Sequence, residues 1–97
     1  MKKDIFEHYA NAIAEKFNLK LDELFAKNRR SDIVEARQML YYLCIERPIR
    51  VSYIQKFMED NGLKVTHSNI SHQYKKAQLL IDDDSDFKNL IQEILDK

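Results

Sequence analysis

One glycine, Gly62, and one proline, Pro48, are all that punctuate 97 residues, and this scarcity constrains the fold more than any other feature. A many-stranded sheet protein needs turn-forming residues at each chain reversal, so the chain is pushed toward helices. With 44% hydrophobic and 33% charged residues, it carries too much apolar material for disorder. A chain of this length closes one modest core, so residues 1–97 are expected to form a single domain. The lone cysteine, Cys44, excludes an internal disulfide framework and a cysteine-rich zinc site. No apolar run approaches the ~20 residues that span a bilayer, and the start Met1-Lys2-Lys3-Asp4 lacks the apolar core of a signal peptide. A soluble, intracellular, all-α protein is the expectation.

Apolar spacing divides the chain into six helices. Ile5, Tyr9, Ala12, Ile13 and Phe17 recur at intervals of three and four, placing them on the inner face of a first helix that Asn18 should end. A short second helix over Leu21 to Phe25 precedes a polar break, residues 26–31. Asp32 and Glu35 resemble a capping box opening a third helix with Ile33, Ala36, Leu40, Leu43 and Cys44 inward, and Pro48 forces its end near Arg47. Ser52 and Gln55 offer another capping box, for a helix through Ile54, Phe57 and Met58 that Asn61-Gly62 should stop in a left-handed turn. Thr66 or Ser68 can cap a fifth helix with Ile70, Tyr74, Ala77 and Ile81 inward. The acidic run Asp82 to Asp86 suits the positive start of a sixth, with Phe87, Leu90, Ile91 and Leu95 packed inward.

Charge is zero in sum but uneven in place. Residues 27–76 hold ten basic against five acidic side chains, and the flanks hold six against eleven. A basic middle between acidic ends suits a localised anionic partner, because screening leaves charges effective over only about 8–10 Å. Ser52–Asp60 and Ser68–Leu80 have the form of a helix-turn-helix, although the connector from Asn61 to His67 is longer than the usual turn. Two packed helices of an ordinary bundle would give the same pattern. In the helix-turn-helix reading, His67, Ser68, Asn69, Ser71 and His72 cluster at or near the start of the second helix, where short donors and acceptors reach base edges. His72 and Lys75 lie on that helix's outer face. The loop residues Lys27, Arg29 and Arg30 suit phosphates or a narrow minor groove, and Arg37 and Gln38 are expected on the outer side of the third helix beside them.

Chemistry that needs other residues is not supported. Asp82, Asp84, Asp86 and Glu93 follow a calcium-loop spacing, but Phe87 stands where glycine is required. His8, His67 and His72 lack the partners of a zinc site, and Cys44 lies on an apolar face as a small core residue. With Gly62 the sole glycine, there is no phosphate-cradling nucleotide loop. No enzyme, cofactor, metal or small-molecule substrate is expected.

The segment from Ala12 through Phe25, followed by Lys27-Asn28-Arg29-Arg30 and then Ala36-Arg37-Gln38-Met39, resembles the C-terminal DNA-binding domain of the bacterial chromosomal replication initiator DnaA. The likeness covers roughly Ile5 to Leu95. It implies a six-helix all-α domain of the DnaA C-terminal or Trp-repressor-like type, bound to double-stranded DNA with a helix-turn-helix in the major groove and the basic loop in the adjacent minor groove. Carried onto matching positions, Arg29 would be the minor-groove arginine, Arg37 and Gln38 would lie on the phosphate backbone, and Ser52 near a phosphate. His67, Ser68 and Asn69 would fall on the family's Asp-His-Thr-Thr signature as its second to fourth members.

The departures fall on that signature. Thr66 replaces the Asp, Ser68 and Asn69 replace the two threonines, and Gln73 stands in place of the usual Ala. Thr presents a hydroxyl and a methyl where Asp would favour cytosine's amino group, so a site different from the initiator box is expected. The connector Glu59 to Val65 lacks the family's Gly-Gly-Arg. The family's ATPase domain finds no place in 97 residues, so a stand-alone regulator of replication or transcription is expected, acting near an origin or promoter, as on a phage, plasmid or other mobile element. A cytoplasmic, nucleoid-associated location would follow, and without a sustained heptad repeat a monomer is open. The alternative is a protein-interaction module that keeps the fold, using Asp82–Asp86 or the adjacent Tyr41 and Tyr42.

Overall fold

The computed structural model describes residues 1–96; Lys97, the end of the expected domain, lies outside the described residues. Among the described residues there are six helices: α1 (Lys2–Lys16), α2 (Leu21–Leu24), α3 (Ser31–Glu46), α4 (Val51–Asp60), α5 (His67–Asp83) and α6 (Ser85–Leu95). The all-α six-helix architecture expected from the sequence is the one observed.

Helix α3 is the central element, packing most extensively against α5 and next against α1. Its Met39, Leu40, Leu43 and Cys44 are buried with Ile54 and Met58 of α4 and with Ile70 and Ala77 of α5. Each large apolar side chain removed from water in this way contributes about 1.5–3 kcal/mol before chain entropy is subtracted. Burial also pushes the Cys44 thiol up to about 12, so it stays protonated and behaves as a small core residue.

The inner face of α1 is rotated from the expected one. Phe6, Tyr9, Ala10, Ile13 and Ala14 are buried, while Ile5, Ala12 and Phe17 are only half-buried. The cause is Phe6, whose ring meets Phe57 at 5.2 Å and Phe25 at 6.1 Å and draws its side of the helix inward. At the other end of the chain Ile94 replaces Leu95 in the core, and Leu95 is left 49% exposed.

Two helices end alike. After α4, Gly62 takes φ 101°, its N–H donates to Glu59 O at 2.9 Å and Leu63 N–H donates to Met58 O at 3.0 Å, the paired bonds of a Schellman turn. Asn18 does the same after α1 with φ 55°, and Leu19 N–H donates to Ala14 O at 2.8 Å, asparagine being among the few side chains that tolerate this region.

The helix starts correct the sequence reading. Asp32 does not cap α3: Arg30 is the N-cap and makes no side-chain cap bond, and Asp32 lies inside the first turn. Nor does Ser52 cap α4, which starts at Val51 behind Arg50. Buried Ile49, whose N–H donates to Cys44 O at 2.7 Å, anchors the chain so that the helix starts two residues earlier than a Ser52 cap would set it. Gln55, assigned to that capping box, instead donates to Val65 O at 2.8 Å and ties the turn to α4. Thr66 does cap α5, its Oγ1 accepting from Asn69 N–H at 3.0 Å.

Candidate nucleic-acid interface

The loop of residues 25–30 between α2 and α3 has no regular structure, so its shape rests on side chains. Asn28 Oδ1 accepts from Arg30 N–H at 2.8 Å, an Asx turn of the kind asparagine favours. From beneath, the half-buried Arg37 donates from Nε to Leu24 O at 2.8 Å, from Nη1 to Asn28 O at 3.0 Å, and from Nη2 to Ala26 O. The planar guanidinium fork matches alternate carbonyls in a way that a lysine ammonium would not. Burial pulls the Arg37 pKa down from its ordinary value. Arg37 therefore does lie beside the basic loop, but it spends three of its donors on shaping it.

That clamp leaves Lys27 and Arg29 pointing out, exposed and with no ion-pair partner among the described residues. Arg30 differs. Its guanidinium donates to both carboxylate oxygens of Asp32, at 2.7 and 3.2 Å, and lies 3.5 Å from Glu23. The hydrogen bond to Asp32 raises the Arg30 pKa, and the same bond holds the Asp32 carboxyl below its usual value. Both side chains remain well exposed.

Across a groove of about 630 Å³ from this loop stand the turn and the first turns of α5. Arg29 of the loop, Arg37 and Tyr41 of α3, Lys64 of the turn, and Asn69 and Gln73 of α5 line it, and no Asp or Glu does. His67, Ser68, Asn69, His72 and Lys75 are all exposed on α5. At about 100° per residue, Ser68, His72 and Lys75 lie on the stripe opposite buried Ile70 and Ala77. Asn69 and Gln73 lie on the flank toward the loop, and His67 lies on the other flank. Ser52 is exposed in the first turn of α4, where backbone N–H groups lack helical partners and suit an anion.

Gln38 is the residue that sequence reasoning misplaced. It is 5% exposed, turned from the outer side of α3 into the contact with α5, where its Nε2 donates to Gln73 Oε1 at 2.6 Å. The expected place on the outer side of α3 is thereby corrected, because α5 covers the side chain. The same reasoning missed Gln73, Lys64 and Asn28. Asn28 carried a readable signal, a short amide before a basic residue in a break between helices; Gln73 stands out only as a departure from the family's alanine, with no sign of its partner 35 residues away.

The opposite side of α5 is differently built. Tyr74, expected inside, is only half-buried; it stacks on Tyr42 at 5.9 Å and donates to Glu46 Oε2 at 2.7 Å. That bond to Glu46 pushes its phenol up to about 12. Tyr41 is buried at 1% exposure, so the two adjacent tyrosines form no shared exposed surface.

Known proteins are similar to this chain in the same region. The family described as the bacterial dnaA protein helix-turn-helix matches residues 7–77. The chromosomal replication initiator protein DnaA of Aliarcobacter butzleri is 35% identical over 88 residues, covering 90% of this chain and 19% of that protein. Its counterpart in Campylobacter fetus is 31% identical over 98 residues, covering 99% of this chain and 22% of that protein. The chain thus spans about a fifth of the length of the curated relatives it matches.

Proposed function

The chain belongs to the bacterial DnaA helix-turn-helix family, and from that premise we propose that it binds duplex DNA at specific sequences, as a regulator of replication or transcription that acts by occupying its site. The start of α5 enters the major groove, where Ser68, Asn69 and His72 meet base edges, His67 approaches from one flank and Lys75 reaches a phosphate. Arg29 enters the adjacent minor groove, Lys27 and Arg30 take phosphates beside it, and Ser52 with the free N–H groups of α4 takes another. Arg37 serves by holding the loop that carries Arg29.

One observation carries this reading: the basic loop and the first turns of α5 flank a single groove without a carboxylate in its lining. A protein-binding surface would not need that separation of charge. Thr66, occupied in capping α5, replaces the family's acidic signature residue, and the preferred site is expected to differ from the initiator box.

Fluorescence anisotropy of a labelled initiator-box duplex and a scrambled duplex, each titrated at two salt concentrations, tests the proposal. Salt-sensitive binding to either duplex supports it, and a difference between them reports how far the family's readout survives. Absence of binding to both at low salt would overturn it.

A further inference from the structure

The amide pair between buried Gln38 of α3 and half-buried Gln73 of α5 has a feature that packing alone leaves unexplained. Gln38 is almost fully buried, yet its Oε1 has no hydrogen-bond partner, a costly arrangement that an apolar residue of similar shape would relieve. What the pair achieves is orientation. Gln38 Nε2 donates to Gln73 Oε1, which fixes the Gln73 carboxamide and leaves its NH2 group as a donor. Gln73 lines the groove between loop and recognition helix, one helical turn from Asn69 on the same flank of α5.

An element in the major groove and another in the adjacent minor groove must straddle one sugar-phosphate strand. In this fold the space between those two elements is the groove lined by Gln73. Resting on the DNA-binding reading above, we infer that Gln73 donates its amide to a phosphate of the strand that threads this groove, and that Gln38 is the positioning residue that aims it. The lining favours such an occupant, since Arg29, Arg37 and Lys64 line the same groove as Gln73 and no carboxylate does.

The experiment compares the full chain with Gln38→Leu, Gln73→Ala and the double variant, each measured for melting temperature and for affinity to the tightest duplex recovered from a random pool. Gln38→Leu removes the orphaned oxygen, so its melting temperature is expected to hold or rise. Its affinity is expected to fall roughly tenfold, the value of one hydrogen bond to a charged acceptor. Gln73→Ala should lose the same factor, and the double variant no more than either alone. A merely structural role for Gln38 would move stability and affinity together. Replacing phosphates one at a time by neutral methylphosphonates should identify one position at which wild type and Gln73→Ala bind equally. Affinities unchanged in both single variants, or losses that multiply in the double variant, would overturn the inference. If Gln38→Leu fails to fold, Gln73→Ala and the methylphosphonate series decide the matter by themselves. Wild-type protein that binds no duplex from the pool would overturn the DNA-binding reading itself, and this inference with it.

Discussion

The basic loop owes its shape to two side chains, Arg37 and Asn28, whereas the start of α5 owes its placement to the apolar face that carries Ile70 and Ala77 into the core. The first is a local device and the second is part of the global fold. The difference teaches where each half of the candidate interface is vulnerable: the loop can be displaced while the domain stays folded, but α5 moves only when the core fails.

Changes at four positions sharpen that contrast. Ile70→Ala, at a fully buried position, should cost about 2–5 kcal/mol, read by urea denaturation, with both halves of the interface lost in one transition. Arg37→Ala should cost less, about 1–3 kcal/mol for the carbonyls left without their donor. It should speed hydrogen exchange in residues 26–30 while far-UV circular dichroism stays unchanged, and Arg37→Lys should not restore the loop, because one ammonium cannot serve three carbonyls in a row. Thr66→Ala should lower stability by about 1 kcal/mol through loss of the α5 cap, and Thr66→Ser should recover most of it.

The smallest effect concerns Asp32, whose folded-state pKa is depressed by Arg30. A depressed carboxyl contributes stability above its unfolded pKa and loses it as pH falls through the folded value, so acid below the ordinary carboxylate range should release Arg30. Both groups are exposed and screened, so the change in melting temperature should be slight. Asp32→Asn at neutral pH should reproduce it. A large acid transition centred on this pair would blur the distinction between local and global support.

The fold was legible because its determinants are local. The three-and-four spacing of Ile33, Ala36, Leu40 and Leu43 marks α3, and Gly62 marks the end of α4, without knowledge of any neighbour. The first turns of α5 were legible for the same reason, Thr66 being a good cap wherever a helix begins. What the residues concealed depends on packing between distant segments. Phe6 turns inward because Phe57 awaits it, and Gln38 is buried because α5 covers it; a glutamine after an arginine on a helix looks solvated until its neighbour is in place. Arg37 lies in the expected neighbourhood, but its three carbonyl partners carry no signature in the sequence.

The central claim is that the loop and the start of α5 form one surface for duplex DNA. It is tested most directly by mapping backbone amide chemical shifts on adding a bound duplex to isotopically labelled protein. The account predicts that the largest changes fall together in residues 27–30 and 66–75. Changes confined to the face where Tyr42 and Glu46 of α3 meet Tyr74 of α5, with the loop unmoved, would contradict it.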